Sequence, residues 1–233
     1  MSPAFPGEIS LVPSALITGC DTGLGREFAL QFAQAGFTVY ATYRDLGNAL
    51  PDESMRHFAL DVTHFDQFAA IKSALGDTPI DLLISNAGVG LDSGQLGALD
   101  FGYVQRMLMV NTVGPLKLVE TFVDNVAASA QRRIVFVTSR MGSIAANLSG
   151  GHYGYRASKA GLNAIGRSLA IDLFRRRITL AMLHPGWVNT AGGGADAPVS
   201  AQESVAAMRQ IVARLGNHET GQFCAYTGQP LPW

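Results

Sequence analysis

Nearly continuous apolar segments of five or six residues alternate with longer amphipathic segments along this chain, and this alternation limits the possible folds more than any other feature. The segments at 134–138 and 179–183 lack the regular polar positions of a strand with one wet face, which indicates strands covered on both faces. Strands are predicted at residues 14–18, 38–43, 56–60, 81–85, 134–138, 179–183 and 222–226. Helical apolar spacing lies between them, as at Phe28 and Phe32. We therefore expect the α/β class: one domain over residues 1–233, with a doubly wound, parallel, seven-stranded sheet and helices on both faces.

The composition favours a small-molecule partner. The 233 residues carry a net charge of −1, so the chain has no electrostatic footprint for nucleic acid or an anionic membrane. No apolar run approaches the roughly 18 residues that span a bilayer. Residues 1–13 contain no Lys or Arg, so no secretory signal is expected. Cys20 and Cys224 form no CxxC motif, which predicts two buried thiols in the cytoplasm and no metal site.

A glycine-rich turn follows the first predicted strand and opens a helix, with Gly19, Gly23 and Gly25 in sequence. Glycines here keep the turn tight, let the backbone approach a pyrophosphate, and let the helix pack close to the strand. The helix N-terminus adds unpaired N–H groups and partial positive charge. Such turns also occur without a ligand. The position after the first strand, where a dinucleotide crosses the sheet, favours a Rossmann fold that binds one.

Tyr155 and Lys159 stand four residues apart at the start of a predicted helix, so their side chains share one face. A nearby ammonium favours phenolate, and we expect Lys159, together with the positive nicotinamide ring of an oxidised cofactor, to lower the pKa of Tyr155 from about 10. A tyrosine poised in this way protonates a carbonyl oxygen as hydride arrives, or deprotonates an alcohol in reverse. Taken alone, the pair more often means a surface lysine beside a core tyrosine. Tyr153 has no lysine four residues on, which predicts a pocket wall instead.

Two further polar residues accompany that pair. Ser139 ends a buried strand, at the sheet edge where catalytic groups collect, and is a candidate donor to a substrate oxygen. Ser143, twelve positions before Tyr155, is the rival for this role. Asn111 interrupts a helical apolar run, where asparagine is mildly unfavourable, which indicates a function such as holding a water beside Lys159.

The order of these motifs resembles that of the short-chain dehydrogenase/reductase family, over essentially the whole chain. The resemblance implies a catalytic tetrad of Asn111, Ser139, Tyr155 and Lys159. The sequences around Ser139 and Tyr155 and at 184–188 are similar to the subgroup of sniffer carbonyl reductases and C-factor-like proteins. The resemblance also implies a set of contacts with an NAD(P) cofactor, by Gly19, Thr22, Gly23, Leu24, Gly25, Arg44, Asp61, Val62, Asn86, Ala87, Gly88, Tyr155, Lys159, Pro185, Gly186, Val188 and Thr190.

The end of the second strand bears on the choice between NAD and NADP. Members of the family that prefer NAD usually carry Asp there, whereas this chain has Tyr43 followed by Arg44. A guanidinium suits a 2′-phosphate, because it binds phosphate bidentately. Arg44 as a merely solvated strand-end residue is the alternative, and Asp45 keeps NAD(H) open. The prediction is NADP(H).

The sequence thus predicts an NADP(H)-dependent oxidoreductase that acts on a carbonyl or a secondary alcohol. The alternatives are an NAD-linked alcohol dehydrogenase and a C-factor-like, nucleotide-sensing signalling protein. Residues 189–200, rich in Gly and Ala, are predicted to form a mobile loop over the site. The family resemblance implies a homodimer or homotetramer through the helices that begin near residues 101 and 153. A hydrophobic or aromatic carbonyl substrate is expected, in a pocket walled by Leu91, Met141, His152, Tyr153 and Trp187. For each of these residues the alternative is an ordinary core or dimer residue.

Overall fold

The computed structural model describes residues 12–91 and 94–233. Its strands are β1 (Ser14–Ile17), β2 (Thr38–Tyr43), β3 (Met55–Ala59), β4 (Leu82–Ser85), β5 (Arg133–Val137), β6 (Thr179–His184), β7 (Val188–Asn189), β8 (Val199–Ser200) and β9 (Gln222–Ala225). All but β7 and β8 form one parallel sheet in the order β3-β2-β1-β4-β5-β6-β9. The predicted doubly wound, seven-stranded sheet is confirmed, and every predicted strand lies within one residue of its observed position.

The sheet is covered on both faces, as its apolar strands predict. The helices are α1 (Gly23–Gln34), α2 (Phe65–Leu75), α3 (Phe101–Leu108), α4 (Gly114–Ala128), α5 (Tyr153–Asp172) and α6 (Ala201–Arg214). One buried cluster joins Phe28 of α1 and Met208 of α6 to Ile84 of β4. The other joins Phe122 of α4 and Leu162 of α5 to Leu83. Leu83 and Ile84 are neighbours on one strand, so they serve opposite faces of the sheet.

The path of the chain opens a gap at the C-terminal edge of the sheet. β1 and β4 are adjacent and parallel. The chain leaves β1 towards α1 on one face, whereas it leaves β4 towards α3 and α4 on the other. Among the described residues, neither connection therefore crosses the space beyond the ends of these two strands. This is the switch point at which sheets of this kind bind their ligands.

α3 and α4 are joined without a loop by a wider π turn, Met109–Val113. Pro115, in the first turn of α4, has no N–H to donate to the carbonyl four residues earlier, which is that of Asn111. An inserted π turn relieves this interruption, and π turns of this kind are frequent at functional sites. The apolar run that Asn111 interrupts in the sequence therefore forms two helices, α3 and α4, with Asn111 in the π turn between them.

Residues 189–200, predicted to be a mobile loop, are held at their base. β7 and β8 pair in parallel, with Val188 opposite Val199 and Asn189 opposite Ser200. Between them, the Asn189 side chain donates to Ala195 O at 3.1 Å. The base of the segment is therefore regular, which the sequence reading missed, and its mobility stays a prediction.

Two simpler expectations concern the cysteines and the helices. Cys20 and Cys224 are both free and buried, as predicted. Burial raises the pKa of the Cys20 thiol to about 12, which makes it a poor nucleophile. Across residues 12–91 and 94–233, none of the helices is both long and apolar enough to cross a bilayer.

Candidate active site

A cleft of about 820 Å³ opens at the C-terminal edge of the sheet, beyond the gap between β1 and β4. Ser139, Tyr155 and Lys159 line it, and so do all the predicted cofactor contacts except Gly25. Gly25 and Asn111 lie behind its wall. The fold therefore brings together residues that span the chain from position 19 to position 190.

The glycine-rich turn packs backbone against backbone beneath this cleft. A Cβ on Gly25 would lie 1.9 Å from Gly19 O, and one on Gly19, whose φ is 73°, would lie 2.8 Å from Ala87 Cα. No side chain caps the N-terminus of α1 at Thr22, which leaves N–H groups of the first turn for an anion. The turn thus has the shape and polarity that a pyrophosphate requires, and Gly25 contributes by packing rather than by contact.

Asn86 fastens this turn to the end of β4. Its side-chain amide donates to Thr18 O at 3.0 Å and to Gly19 O at 3.1 Å. In return, Thr18 Oγ1 accepts from the backbone N–H groups of Asn86 and Ala87, at 3.0 and 3.1 Å. Asn86 therefore lines the cleft, as predicted, but its amide group is committed to holding the turn.

Tyr155 and Ser139 both line the cleft, where burial raises the pKa of Tyr155 and hydrogen bonding from Ser139 lowers it by less. Ser139 Oγ also accepts from Met141 N at 3.1 Å. This bond caps the short 3-10 turn Arg140–Gly142 and fixes the serine side chain at the end of β5. The arrangement places two hydroxyl groups where one substrate oxygen can contact both.

Ser143 is engaged elsewhere. It is buried and does not line the cleft. Its hydroxyl donates to Trp233 O at 3.2 Å and accepts from Ala146 N at 3.0 Å. Of the two serines left open by the sequence, the geometry therefore favours Ser139.

Lys159 is almost fully buried at 6% exposure, and its Nζ lies 5.8 Å from the centre of the Tyr155 ring. The ammonium donates to Val137 O at 3.0 Å, and burial lowers its pKa to about 8. Burial also raises the pKa of Tyr155, and the hydrogen bond with Ser139 lowers it by less. The chain's own groups therefore do not bring the Tyr155 pKa below 10, because both side chains leave water together. The lowering expected from an oxidised nicotinamide stays a prediction.

Asn111, in the π turn, bonds to the segment that follows β4. Its Oδ1 accepts from Val89 N at 2.9 Å, and its Nδ2 donates to Val89 O at 3.2 Å and to Ser158 Oγ at 3.0 Å. A Cβ added to Gly88 would lie 3.2 Å from Asn111 Oδ1 and 3.8 Å from Lys159 Nζ. Asn111 and Lys159 therefore approach the same point from two sides.

Arg44 lies at the opposite end of the cleft, and Asp21 holds its backbone. The two carboxylate oxygens of Asp21 accept from the N–H groups of Arg44 and Asp45, each at 3.1 Å. The Arg44 side chain is exposed, and none of the ion pairs among the described residues includes it. Its guanidinium is thus available to a ligand. Asp21 was missed from the sequence, because the prediction for this turn rested on its glycines.

Asp61 and Val62 form the wall beside Arg44. Asp61 accepts from the backbone N–H and the hydroxyl of Thr63, at 2.9 and 2.7 Å. Val62 is buried against Gly114 of α4, where a Cβ on the glycine would lie 3.0 Å from the valine side chain. The pair therefore gives the cleft an apolar side chain and one anchored carboxylate.

The other end of the cleft has an apolar wall. Leu91, Met141 and Trp187 line it as predicted, and the Trp187 indole donates to Gly193 O at 2.7 Å. Tyr153 and His152 do not line it. Tyr153 begins α5 and is 44% exposed, so the prediction of a pocket wall is wrong for both of these residues.

Two cationic or titratable residues at this end escaped the sequence reading. Arg140 directly follows Ser139, and His184 ends β6; both line the cleft. His184 Nδ1 is buried without a hydrogen-bond partner among the described residues. Burial, together with the charges of Arg140 and Lys159, lowers the pKa of His184 to about 4. The rule that functional groups collect at the C-terminal ends of parallel strands would have found both.

Comparison with solved structures places the fold among carbonyl reductases. The carbonyl reductase Sniffer of D. melanogaster superposes with a TM-score of 0.87 and 31% identity, over 95% of this chain and all of that one. The NADPH-bound carbonyl reductase from chicken fatty liver superposes with a TM-score of 0.84 and 27% identity, over 95% of this chain and 99% of the other.

Sequence comparison agrees. The protein called C-signal from Myxococcus xanthus is 42% identical over 155 residues, which are 66% of this chain and 93% of that protein. The family model for short chain dehydrogenase matches residues 13–217, which include the glycine-rich turn, Ser139, Tyr155 and Lys159. The chain therefore belongs to the short-chain dehydrogenase family and is an oxidoreductase of that family.

Proposed function

We propose that this chain reduces carbonyl compounds with NADPH, or oxidises the matching secondary alcohols, with Tyr155 as the general acid and base. The observation that carries the proposal is that Ser139, Tyr155 and Lys159 line one cleft, with the Lys159 ammonium 5.8 Å from the centre of the tyrosine ring. When bound, the nicotinamide supplies or accepts the hydride. The chain's own residues supply the proton and orient the substrate.

Several features of the cleft fit an NADP cofactor. The close packing of Gly19 and Gly25 and the uncapped start of α1 suit the pyrophosphate. The exposed Arg44 guanidinium suits a 2′-phosphate, and two of the similar solved carbonyl reductases contain NADPH or NADP. Pro185, Gly186, Val188 and Thr190 line the cleft where the nicotinamide end would lie. NADP(H) is therefore preferred over NAD(H).

Tyr155 is suited to the reductive direction. Because burial raises its pKa, the phenol carries its proton at neutral pH and is able to donate it to a carbonyl oxygen. Ser139 donates a second hydrogen bond to the same oxygen and stabilises the negative charge that develops there. A new proton then reaches Tyr155 through Lys159 and a water beside Asn111. The side chains of Lys159 and Asn111 approach each other at Gly88.

Experiments distinguish two alternative functions from the proposed reductase. An NAD-linked alcohol dehydrogenase would bind NAD⁺ at least as tightly as NADP⁺, which calorimetry measures directly. A nucleotide-sensing signalling protein is suggested by the similarity to C-signal, and it would bind the cofactor without turnover. The intact pairing of Tyr155 with Ser139 and Lys159 favours the enzyme, because a sensor has no need of a buried proton donor.

The test is turnover by the purified protein and its Tyr155→Phe variant. NADPH loss is followed spectroscopically with a panel of aromatic and aliphatic aldehydes and ketones. We expect the wild type to turn over several of them and the variant to lose 100-fold or more in kcat, about the range for general acid catalysis. Background rates for the wild type across the panel, with normal NADPH binding, would favour the sensor.

We also propose that the chain forms a homodimer or homotetramer through α3, α4 and α5. These helices, and the π turn that joins α3 to α4, expose apolar side chains that a monomer would leave in water: Phe101, Leu108, Met109, Leu116, Tyr153 and Ile171. Light scattering at several protein concentrations tests this, and a monomer at all of them would contradict it.

A further inference from the structure

The substrate end of the cleft carries two cations without a described carboxylate to balance them. Arg140 lines the cleft directly after Ser139, and its side chain is exposed. Lys159 lines the same end from α5. Among the described residues that line the cleft, the acidic ones are Asp21 and Asp61.

Both of those carboxylates lie towards the other end. Asp21 follows β1 and Asp61 follows β3, whereas Arg140 follows β5. The strand order puts two spacings between β5 and β1 and four between β5 and β3. At about 4.8 Å per spacing these are about 10 and about 19 Å. Asp21 and Asp61 also accept hydrogen bonds from their own surroundings. Neither is placed to neutralise Arg140.

The guanidinium of Arg140 is not engaged in another described ion pair. Its backbone is fixed by the turn that Ser139 caps, but none of the ion pairs among residues 12–91 and 94–233 includes its side chain. The positive field at this end acts on His184, whose pKa falls to about 4 through burial and the charges of Arg140 and Lys159. His184 is therefore neutral at physiological pH and adds no charge of its own.

An apolar substrate would fit this end poorly. The wall offers Leu91, Met141 and Trp187 to an apolar body. If such a body closed over Arg140, it would take a guanidinium out of water without giving it a partner, which costs free energy. A substrate that brings its own negative charge removes that cost and gains a charge-assisted hydrogen bond.

We propose that the carbonyl substrate of this cleft carries a carboxylate, which Arg140 binds while Tyr155 and Ser139 contact the carbonyl oxygen. The substrate class is an oxo acid whose apolar segment separates the two groups and lies against Leu91, Met141 and Trp187. This inference rests on the proposed reductase function. It refines the expectation of a purely hydrophobic ketone or aldehyde.

The test uses two matched pairs of substrates, each an acid and its methyl ester: 4-formylbenzoate and 5-oxohexanoate with their esters. In the aromatic pair the ester has the more electron-poor carbonyl, so a preference for the acid is not intrinsic to the substrate. We expect the wild type to prefer the acids by about tenfold to 100-fold in kcat/KM, the range for hydrogen bonds to charged groups. The preference lies in KM and weakens as salt rises, because the Arg140 side chain is exposed.

Three variants assign the preference to one side chain. Arg140→Gln removes it, whereas Arg140→Lys keeps part of it, because the charge remains but the bidentate geometry is lost. Arg175→Gln, an exposed position outside the cleft, keeps all of it and controls for net charge. Thermal unfolding of each variant establishes that the fold is intact.

The outcomes separate this inference from the function beneath it. Turnover of acid and ester with equal kcat/KM by the wild type, or an acid preference that survives in Arg140→Gln, overturns the role of Arg140 and leaves the carbonyl reductase in place. No turnover of any of the four compounds or of the neutral carbonyl panel overturns both.

Discussion

Tyr155 and Ser139, sixteen positions apart in the chain, line the same cleft, where hydrogen bonding from Ser139 offsets part of the rise that burial causes in the pKa of Tyr155. Ser139 follows β5, and Tyr155 lies in the first turn of α5, so a loop and a short 3-10 turn separate two side chains that line one cleft. This placement brings the proposed proton donor to the proposed holder of the substrate oxygen. It also distinguishes Ser139 from Ser143, which bonds to Trp233 O instead.

Replacement of the two serines by alanine tests that distinction. We expect Ser139→Ala to lower kcat by about 10²–10³, the usual cost of losing one donor to a developing oxyanion. Ser143→Ala loses two hydrogen bonds outside the cleft, so it is expected to lower the melting temperature while kcat stays within about twofold. Steady-state kinetics and thermal unfolding of both variants give the result. A larger loss of kcat in Ser143→Ala than in Ser139→Ala would reverse the assignment.

Lys159→Met is expected to stabilise the protein while it abolishes activity. Burial lowers the folded-state pKa of Lys159 from 10.5 to about 8. The charged form is therefore disfavoured by folding, at a cost of the order of 3 kcal/mol below about pH 8. That cost falls as the pH rises from about 8 towards 10.5, because the unfolded chain then binds the extra proton. Urea unfolding at pH 7 and pH 9.5 measures it.

The expected difference in the free energy of unfolding between Lys159→Met and the wild type has one sign. The methionine variant is more stable than the wild type at pH 7, and the difference shrinks to about half by pH 9.5. A difference that does not change with pH would mean that the amine is not the source. Replacing a buried charge that serves function commonly stabilises a protein while it removes activity.

Arg44→Gln tests the choice of cofactor. The guanidinium is exposed at the end of β2 and belongs to none of the described ion pairs. We expect the dissociation constant for NADP⁺ to rise by about tenfold to 100-fold, as hydrogen bonds to charged groups predict, and that for NAD⁺ to change by less than about twofold. Isothermal calorimetry with both nucleotides gives the ratio. Equal losses for the two would favour the NAD-linked alternative.

Asn111→Ala removes the bonds that join the π turn to the segment after β4. Val89 N and O then lose their buried partner, which costs about 1–3 kcal/mol for each group left unsatisfied. Ser158→Ala removes the third bond of Asn111 and the bond from Ser158 Oγ to Tyr155 O, but it keeps both bonds to Val89, so it is the matched control. We expect kcat to fall at least about tenfold further in Asn111→Ala than in Ser158→Ala. Similar kcat values in both variants would leave Asn111 with a structural role alone.

The sheet was predictable because its strands are buried on both faces. β4, β5 and β6 are nearly all apolar in the sequence, and the observed strands lie within one residue of the predicted ones. The polar residues at the strand ends, such as Ser139, were predictable for the same reason, since parallel strands deliver their C-terminal ends to one edge. The π turn at Asn111 was also within reach, because Pro115 has no N–H for the carbonyl four residues earlier.

Other features depend on how the pieces pack, which spacing alone does not give. The direction of the Tyr155 pKa shift depends on how much water burial removes, and this outweighs the hydrogen bond to Ser139. The bonds from Asp21 to Arg44 and Asp45 join loops more than twenty residues apart. The pairing of β7 with β8 joins two-residue strands that are too short to produce a pattern.

After β1 and β4 the chain turns to opposite faces of the sheet, and this connectivity opens the cleft. The position of the proposed reaction is therefore set by the path of the chain and not by the side chains that line the cleft. Substitutions at Arg44, Arg140 or Trp187 are free to alter which nucleotide or which carbonyl is accepted, because none of these side chains creates the opening they face. In protein design, the position of the cleft is therefore fixed, whereas the side chains that line it can be exchanged. If the connection after β1 or after β4 ran to the opposite face of the sheet, the cleft would close even with all of these side chains kept.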